Sequence, residues 1–346
     1  MLRIVWLALL AACSSYADER PNIVLIVVDD MGYGDLGCYG SEIPTPHIDS
    51  LAENGLRFRQ FYNTAKCWTT RASLLTGLYY QQVTDQKQLD RNGITIAAAL
   101  KASGYRTTLS GKWHLSGGTF DKRSNQPLSH GFDEFYGTLH GAGSFYDPFT
   151  LQEGFAPVEA REDFYYTDAI TDHAVERLRI ASDEGKPFFH YVAYTAPHWP
   201  MQAPAAEIEK YKRLYREGWD ALREQRFAKQ VELGVADPRW SIGPRNPGVP
   251  AWEDAEDREW EIHRMATYAA MLNIVDRGIG RITAQLKKQA AFDNTLILFM
   301  SDNGGSHEEI GFANGVSCLG GSPTTRRGAP IQVGRDPNVL PGPEET

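Results

Sequence analysis

The sequence has 346 residues, a hydrophobic content of 42% and a net charge of −9 at pH 7. The hydrophobic content is typical of a globular chain and excludes a largely disordered protein. The length allows one large domain or two smaller ones, and the negative charge argues against a nucleic-acid-binding protein, which needs a basic surface.

Residues 1–17 resemble a secretory signal peptide. Arg3 precedes an uncharged apolar stretch at 4–12, and Ser15-Tyr16-Ala17 fits a small-x-small cleavage site. The stretch is shorter than the roughly 20 residues that span a bilayer, so we expect export to the periplasm or the extracellular space and no transmembrane span. Residues 10–13 also resemble a bacterial lipobox, which leaves a lipid anchor at Cys13 as an alternative.

Four short apolar runs predict strands, and polar residues follow each of them. The runs at 23–28 and 295–300 are continuously apolar, which predicts strands buried on both faces of a parallel sheet. The run at 187–194 has the same character, and the run at 105–110 is a weaker example.

Helical patterns lie between these strands. The segment 96–103 has Thr95 as a predicted N-cap and Gly104 as a stop signal, and 168–182 and 260–289 have apolar residues at helical spacing. Strands that alternate with helices predict an α/β fold, a three-layer sandwich with a mostly parallel central sheet flanked by helices. In such sheets functional groups gather beyond the carboxyl ends of the strands.

We expect one large domain over residues 20–320. Within it, the charged, Trp- and Pro-rich segment at about 203–258 is only weakly periodic, which indicates an insertion. Residues 321–346 are rich in Gly and Pro and predict an irregular tail. The cysteine spacing matches no zinc or disulfide framework, and pairing of Cys38 with Cys318 stays open, as does the oligomeric state.

The stretch Cys67-Trp68-Thr69-Thr70-Arg71 predicts a nucleophile at the N-terminus of a helix. The apolar run that follows it ends at Gly77, a helix stop signal. The free backbone N–H groups and the dipole at a helix N-terminus favour an anion, and the guanidinium of Arg71 suits sulfate or phosphate. The residues alone therefore predict an anion site with a nucleophile.

Oxygen-bearing side chains follow two of the predicted strands. Asp29 and Asp30 come after the first, and Asp302 and Asn303 come after the last. Carboxylate and amide oxygens suit Ca²⁺ or Mg²⁺. Either pair alone is better explained as turn residues, but two pairs after two predicted buried strands favour a metal site.

Lysine and histidine side chains are the candidates for anion binding and proton transfer. In an extended segment, the spacing of Lys112 and His114 places both on one face, where one can hold an anion and the other can move a proton. His198 lies between Pro197 and Trp199, and its alternative is a packed loop residue. Four further histidines are interpreted as structural: His47, His130, His140 and His173.

Together, these motifs resemble the sulfatase family, which is arylsulfatase-like, formylglycine-dependent and of the alkaline phosphatase superfold. The resemblance covers about residues 20–315. It is carried in order by residues 26–35, 44–52, 67–71, 111–114, 196–198 and 301–304. The family signature is Cys-x-Pro-Ser/Thr-Arg, whose cysteine is oxidised to formylglycine, and here Thr69 stands in place of the proline.

The resemblance implies a role for each matching residue. Ca²⁺, or alternatively Mg²⁺, would be bound by five side chains: Asp29, Asp30, Asp302, Asn303 and the modified Cys67. Hydrated formylglycine at position 67 would attack the sulfur of a sulfate ester. Arg71 would hold the formylglycine, Lys112 and His198 would bind the sulfate oxygens, and His114 would help the proton transfer that releases sulfate.

The resemblance also implies partners and leaves alternatives. A formylglycine-generating enzyme would modify Cys67, and a sulfated polysaccharide is one expected substrate. Because nothing after Asn303 matches the family's next active-site lysine, we expect the C-terminal subdomain to be missing. A phosphodiesterase or phosphonate hydrolase of the same superfold is one alternative, and Asn303 weighs against it. An inactive truncated remnant that binds metal or sulfated glycan is the other, favoured by Thr69.

Overall fold

The computed structural model describes residues 20–90, 92–306, 312–313, 316–317, 324–325, 327–332 and 336–346. The predicted signal peptide, the lipobox and Cys318 lie outside the described residues. Within them, we find no helix with the length and apolar character needed to cross a membrane.

The strands and helices alternate along the chain. The strands are β1 (Asn22–Val28), β2 (Thr84–Asp85), β3 (Gln88–Leu89), β4 (Arg106–Gly111), β5 (Glu134–Thr138), β6 (Leu151–Glu153), β7 (Ala156–Pro157), β8 (Phe188–Ala193), β9 (Thr295–Ser301), β10 (Phe312–Ala313) and β11 (Val316–Ser317). The α-helices are α1 (Pro46–Glu53), α2 (Cys67–Thr76), α3 (Tyr80–Val83), α4 (Ile96–Ala102), α5 (Tyr166–Asp183), α6 (Ala205–Ile208), α7 (Gly218–Glu232) and α8 (Arg258–Lys288).

Short 3₁₀ helices complete the secondary structure of the described residues. They are Gly37–Tyr39, Arg123–Asn125, Pro127–His130, Lys212–Tyr215, Trp252–Asp254 and Phe292–Asn294.

The central sheet has the strand order β7-β6-β5-β4-β8-β1-β9. Its five strands from β5 to β9 in that order are parallel, and β6 and β7 extend it antiparallel at one end. The mostly parallel sheet and the α/β class are therefore confirmed.

Helices cover both faces of this sheet, which gives three layers. Along β1, Val24 and Ile26 pack into one core with residues of α1, α5 and α8. The alternate residues Leu25 and Val27 pack into a second core with residues of α2 and α4. A strand that buries both faces needs apolar residues at every position, which explains the unbroken apolar run at 23–28.

Two of the predicted helix ends are confirmed in detail. The hydroxyl of Thr95 accepts a hydrogen bond from the N–H of Ala98 at 3.1 Å, which caps α4. Helix α2 begins at Cys67, and Gly77 after its end has φ +68°. In this left-handed conformation a glycine avoids the strain that a Cβ would bring.

The prediction that the run at 295–300 is buried on both faces is wrong. Its strand, β9, pairs with β1 and forms the edge of the sheet in the part of the chain described. The side chain of Leu296 is 49% exposed and that of Leu298 is 38% exposed. A continuous apolar run cannot distinguish a central strand from an edge strand, because pairing on the second side is a tertiary property.

Gly111, the last residue of β4, sits where the sheet allows no side chain. Its φ is +115°, and a Cβ at this position would lie 2.0 Å from the carbonyl oxygen of Ala193. Gly111 and Ala193 are register partners on β4 and β8. This close approach sets where the next residue, Lys112, leaves the sheet.

We predict that Gly111→Ala destabilises the fold by about 2–4 kcal/mol, because the new Cβ would force two strands apart and strain the backbone. Urea unfolding followed by circular dichroism measures this free energy. Gly118→Ala is the matched control, because a Cβ at Gly118 would contact nothing within 4 Å. Equal effects of the two substitutions would contradict the prediction.

Candidate active site

The parallel register of the strands brings the predicted polar residues to one edge of the sheet. Val28 of β1 pairs with Ser301 of β9, so Asp29 and Asp302, the next residues, emerge side by side. The N–H of Asp302 donates to the carbonyl of Val28 at 3.2 Å. The N–H of Lys112 donates to the carbonyl of Ala193 at 2.8 Å, which ties the end of β4 to the same edge.

Carboxylates and an amide form the oxygen-rich part of the site. One ligand atom each from Asp29, Asp30 and His198 lies within 4.8 Å of the others. The Asp30 N–H donates to Oδ1 of Asn303 at 2.9 Å, and Nδ2 of Asn303 donates to Oδ1 of Asp30 at 2.5 Å. Asp30 has φ +60°, a strained value for a non-glycine residue and one that often marks a functional site.

Two fully buried cations balance the carboxylates. Nε of Arg71 donates to Oδ2 of Asp302 at 2.6 Å, and its Nη1 donates to the carbonyl of Lys112 at 2.9 Å. Nζ of Lys112 forms an ion pair with Asp29. All four side chains are inaccessible to solvent. Because a buried charge is costly without a partner, each of these groups constrains the position of the others.

The surroundings of the site shift several pKa values. Burial raises the pKa of Asp302 to about 6, and the charge of Asp29 adds to this while Arg71 and Lys112 oppose it. Burial also raises the pKa of the Cys67 thiol. Burial and the charge of Lys112 lower the pKa of His114 well below its usual value. His114 is therefore a neutral imidazole at pH 7.

Cys67 is the first residue of α2, as the sequence predicts. Lys66 precedes it in an extended conformation and no side chain caps the helix, so the first N–H groups of α2 are available to an anion. Thr69 is buried, and its hydroxyl donates to the carbonyl of Lys66 at 2.8 Å and contacts the Thr64 hydroxyl at 2.5 Å. Thr69 thus fastens the loop before Cys67 onto the first turn of the helix.

Three buried polar atoms at this edge have no hydrogen-bond partner in the described part of the chain. They are Oδ1 of Asp302, Nη2 of Arg71 and Nδ1 of His114. Buried polar atoms are nearly always satisfied, so their concentration here indicates a site for ligands. A divalent cation fits the free carboxylate oxygen among hard oxygen donors, and an oxyanion fits the free guanidinium nitrogen.

The geometry departs from the sequence interpretation in one respect. The segment that carries Lys112 and His114 is not the extended one that the sequence interpretation assumes. Gly111 has φ +115° and His114 has φ +60°, so the chain turns after β4. Lys112 is directed to Asp29, while the His114 ring packs against Gly141, where a Cβ would come within 2.3 Å of it.

Two aromatic residues that sequence reasoning did not single out support the site. The hydroxyl of Tyr268 on α8 donates to Oδ2 of Asp35 at 2.6 Å and lies 3.3 Å from the carbonyl of Asp30. The hydroxyl of Tyr191 on β8 lies 3.3 Å from Nη1 of Arg71. Both lie inside regular elements with ordinary apolar patterns, so no local sequence signal distinguishes them.

Comparison with known proteins gives one consistent result. The family model described as Sulfatase matches residues 21–333. An uncharacterized sulfatase of Schizosaccharomyces pombe is 33% identical over 83% of this chain and 58% of that protein. The arylsulfatase of Klebsiella aerogenes is 31% identical over 88% of this chain and 70% of its own length.

Solved structures agree with this result. Ps i-CgsB, crystallised in complex with k-i-k-neocarrahexaose, is 32% identical with a TM-score of 0.63, over 83% of this chain and 59% of that chain. The chain therefore spans less than two thirds of the length of the S. pombe relative and of Ps i-CgsB.

We predict that Arg71→Met destabilises the protein by about 3–5 kcal/mol, because Asp302 would remain buried without its ion-pair partner. Chemical denaturation of the metal-free protein measures the loss. Arg281→Met is the control, since its ion pair with Asp172 is exposed and exposed pairs contribute at most about 1 kcal/mol. A loss no larger than that of the control would show that the buried pair does not hold this edge of the sheet.

Proposed function

The chain belongs to the sulfatase family, and on that premise we propose that it is a sulfuric ester hydrolase, arylsulfatase-like in its chemistry. The proposed nucleophile is formylglycine made from Cys67, and the proposed metal is Ca²⁺, with Mg²⁺ as the alternative. The observation that carries this proposal is the convergence of the buried Arg71, Lys112, Asp29 and Asp302 around unsatisfied polar atoms at the Cys67 helix.

The site residues divide into metal ligands and anion-binding groups. Asp29, Asp30, Asp302 and Asn303, with the modified residue 67, would hold the metal. When bound, the metal supplies Lewis-acid stabilisation of negative charge and the formylglycine supplies a nucleophilic hydroxyl. The two buried cations next to them, Arg71 and Lys112, would offset the charge that develops on the sulfate oxygens, usually the largest contribution to catalysis.

Proton transfer falls to the histidines. His114 is neutral, because burial lowers its pKa, and its Nδ1 has no partner in the described residues. We assign this nitrogen as the base that would accept a proton from a hydroxyl at position 67. His198 donates from Nδ1 to the carbonyl of Trp199 at 2.6 Å and lies with Nε2 3.6 Å from Oδ2 of Asp30. Nε2 is therefore the atom left to bind a sulfate oxygen, and it would donate to that oxygen as the doubly protonated imidazolium.

The proposal extends to substrate, partner and location. The hexaose bound by the related Ps i-CgsB supports a saccharide substrate, and we propose a sulfated polysaccharide. A formylglycine-generating enzyme is the required partner. The apolar leader at residues 1–17 supports export.

We expect the purified, formylglycine-bearing protein to release sulfate from a nitrophenyl sulfate. Chelation of the metal should lower the rate at least about 100-fold, since a metal ion contributes several kcal/mol to such a transition state. Adding Ca²⁺ should restore the rate, and Cys67→Ala should abolish it. If a folded, formylglycine-bearing sample released no sulfate, the proposal would be refuted. Faster hydrolysis of a nitrophenyl phosphonate than of the nitrophenyl sulfate would favour the alternative function, a phosphonate hydrolase.

We also expect mass spectrometry of the peptide that contains residue 67 to show an aldehyde in place of the thiol. The peptide that contains Cys38 is the internal control and should keep its thiol. Thr69→Pro restores the family signature. If Thr69 slows the modification, this substitution should raise the fraction of Cys67 that is converted to formylglycine. A fully intact thiol at position 67, after coexpression with a formylglycine-generating enzyme, would favour the inactive remnant that only binds metal or sulfated glycan.

A further inference from the structure

A second group of side chains lies beside His114. It comprises the rings of Phe120, His140 and Phe149 together with Lys87 on a neighbouring hairpin, and we call these four residues the rim cluster. The ring of His140 lies 6.5 Å from that of His114, 5.0 Å from that of Phe149 and 5.6 Å from that of Phe120, measured between centroids. His140, interpreted from sequence as structural, is therefore the link between the proposed proton acceptor and two aromatic rings.

The position of Lys87 is fixed by a hairpin that is anchored next to His114. Strands β2 and β3 are joined through Gln86 and Lys87, whose φ values are +45° and +67°. The N–H of Gly117 donates to the carbonyl of Lys87 at 3.2 Å. The next strand, β3, is tied to the segment after His114 by the bond from the Leu89 N–H to the carbonyl of Leu115 at 3.0 Å.

The hairpin turn supports a functional reading. Two-residue turns of this kind favour glycine or asparagine, because other residues are strained at positive φ. Strain of this kind is found at ligand-binding sites more often than elsewhere.

The charge and exposure of the rim cluster suit an acidic ligand. Lys87 is exposed, and its ammonium has no ion pair or hydrogen bond within the described residues. Burial lowers the pKa of His140, and the charges of Lys112 and Lys87 lower it further, against a hydrogen bond to Ala142.

The aromatic side chains supply the apolar part of the surface. Phe149 is 41% exposed and packs against His140 and Phe120, with centroid distances of 5.0 and 6.2 Å. An exposed aromatic ring that is fixed by packing against neighbouring rings can stack on the apolar face of a sugar. Nδ1 of His140 lies 2.8 Å from the carbonyl of Ala142. If this nitrogen carries the proton, Nε2 remains an acceptor for a hydroxyl group.

We propose that the rim cluster is a substrate subsite for a saccharide unit next to the sulfate ester that is cleaved. This unit stacks on Phe149, and its own anionic group, a sulfate or a carboxylate, pairs with Lys87. The inference rests on the proposed sulfatase function and adds the substrate class: an oligosaccharide with a second acidic group. A small aryl sulfate reaches the catalytic residues without an equivalent contact.

The test compares Lys87→Gln and Phe149→Ala on two substrates, a disulfated disaccharide and a nitrophenyl sulfate. We expect each substitution to lower kcat/KM for the disaccharide about tenfold more than for the aryl sulfate, mainly through KM. Lys186→Gln is the matched control, because Lys186 is exposed and precedes β8 at the opposite end of the sheet. It should change the ratio of kcat/KM for the disaccharide to kcat/KM for the aryl sulfate less than twofold. An unchanged ratio in both rim variants would overturn the subsite and leave the hydrolase proposal standing.

A binding measurement separates the subsite from turnover. In the Cys67→Ala protein with Ca²⁺, titration calorimetry with the disulfated disaccharide should show a Kd about tenfold higher when Lys87→Gln is added. A monosulfated disaccharide should lose less affinity, since it has no group for Lys87. Equal Kd values with and without Lys87→Gln would refute the subsite whether or not the protein hydrolyses sulfate esters.

Discussion

The compensated burial of charge at the carboxyl ends of the central strands is the constraint on which the site depends. Parallel pairing of β1 with β9 places Asp29 and Asp302 side by side in a region without solvent. Two like charges in that position repel each other, and burial adds to the cost. Arg71 and Lys112, brought in by α2 and β4, make the arrangement stable by pairing with one carboxylate each. The ion pair of Arg71 also fixes the position of α2, the helix that carries Cys67. The contacts that stabilise the buried carboxylates are therefore the same contacts that set the geometry of the site.

This constraint also explains why support for the site comes from every layer of the fold. Tyr268 reaches the turn after β1 from α8 on one face, while Tyr191 of β8 approaches Arg71 from the other. Thr69 holds the loop before Cys67 through its hydroxyl. Thr69 therefore has a structural function of its own in this chain, independent of whether the modifying enzyme accepts a threonine where the family signature has proline. The chemical state of residue 67 distinguishes the proposed enzyme from the inactive remnant.

The rim cluster differs from the centre in its physical basis. The central charges are buried and mutually dependent, whereas Lys87 and Phe149 are exposed. Lys87 depends on the anchoring of a short hairpin beside His114, and Phe149 lies in the loop between β5 and β6. Under the proposed function, substitutions in the rim cluster would leave the central ion pairs intact, and substrate choice could vary around an unchanged centre. This division, with rigid strand ends for chemistry and loops for selectivity, is common in α/β folds.

Local sequence determined most of the fold and the composition of the site. Buried parallel strands require unbroken apolar runs, and helices require caps and stop signals. Asp29 and Asp302 were recognisable because they directly follow apolar runs, whereas Lys112 and His198 were recognised through the ordered set of motifs that resembles the sulfatase family. What only the tertiary structure decided depends on contacts between distant segments. These are the edge position of β9, the turn after β4 that carries Lys112 and His114, the support from Tyr268, and the place of His140 beside His114. None of these has a local signal, because a side chain's partners across the sheet are set by the register of strands far apart in the chain.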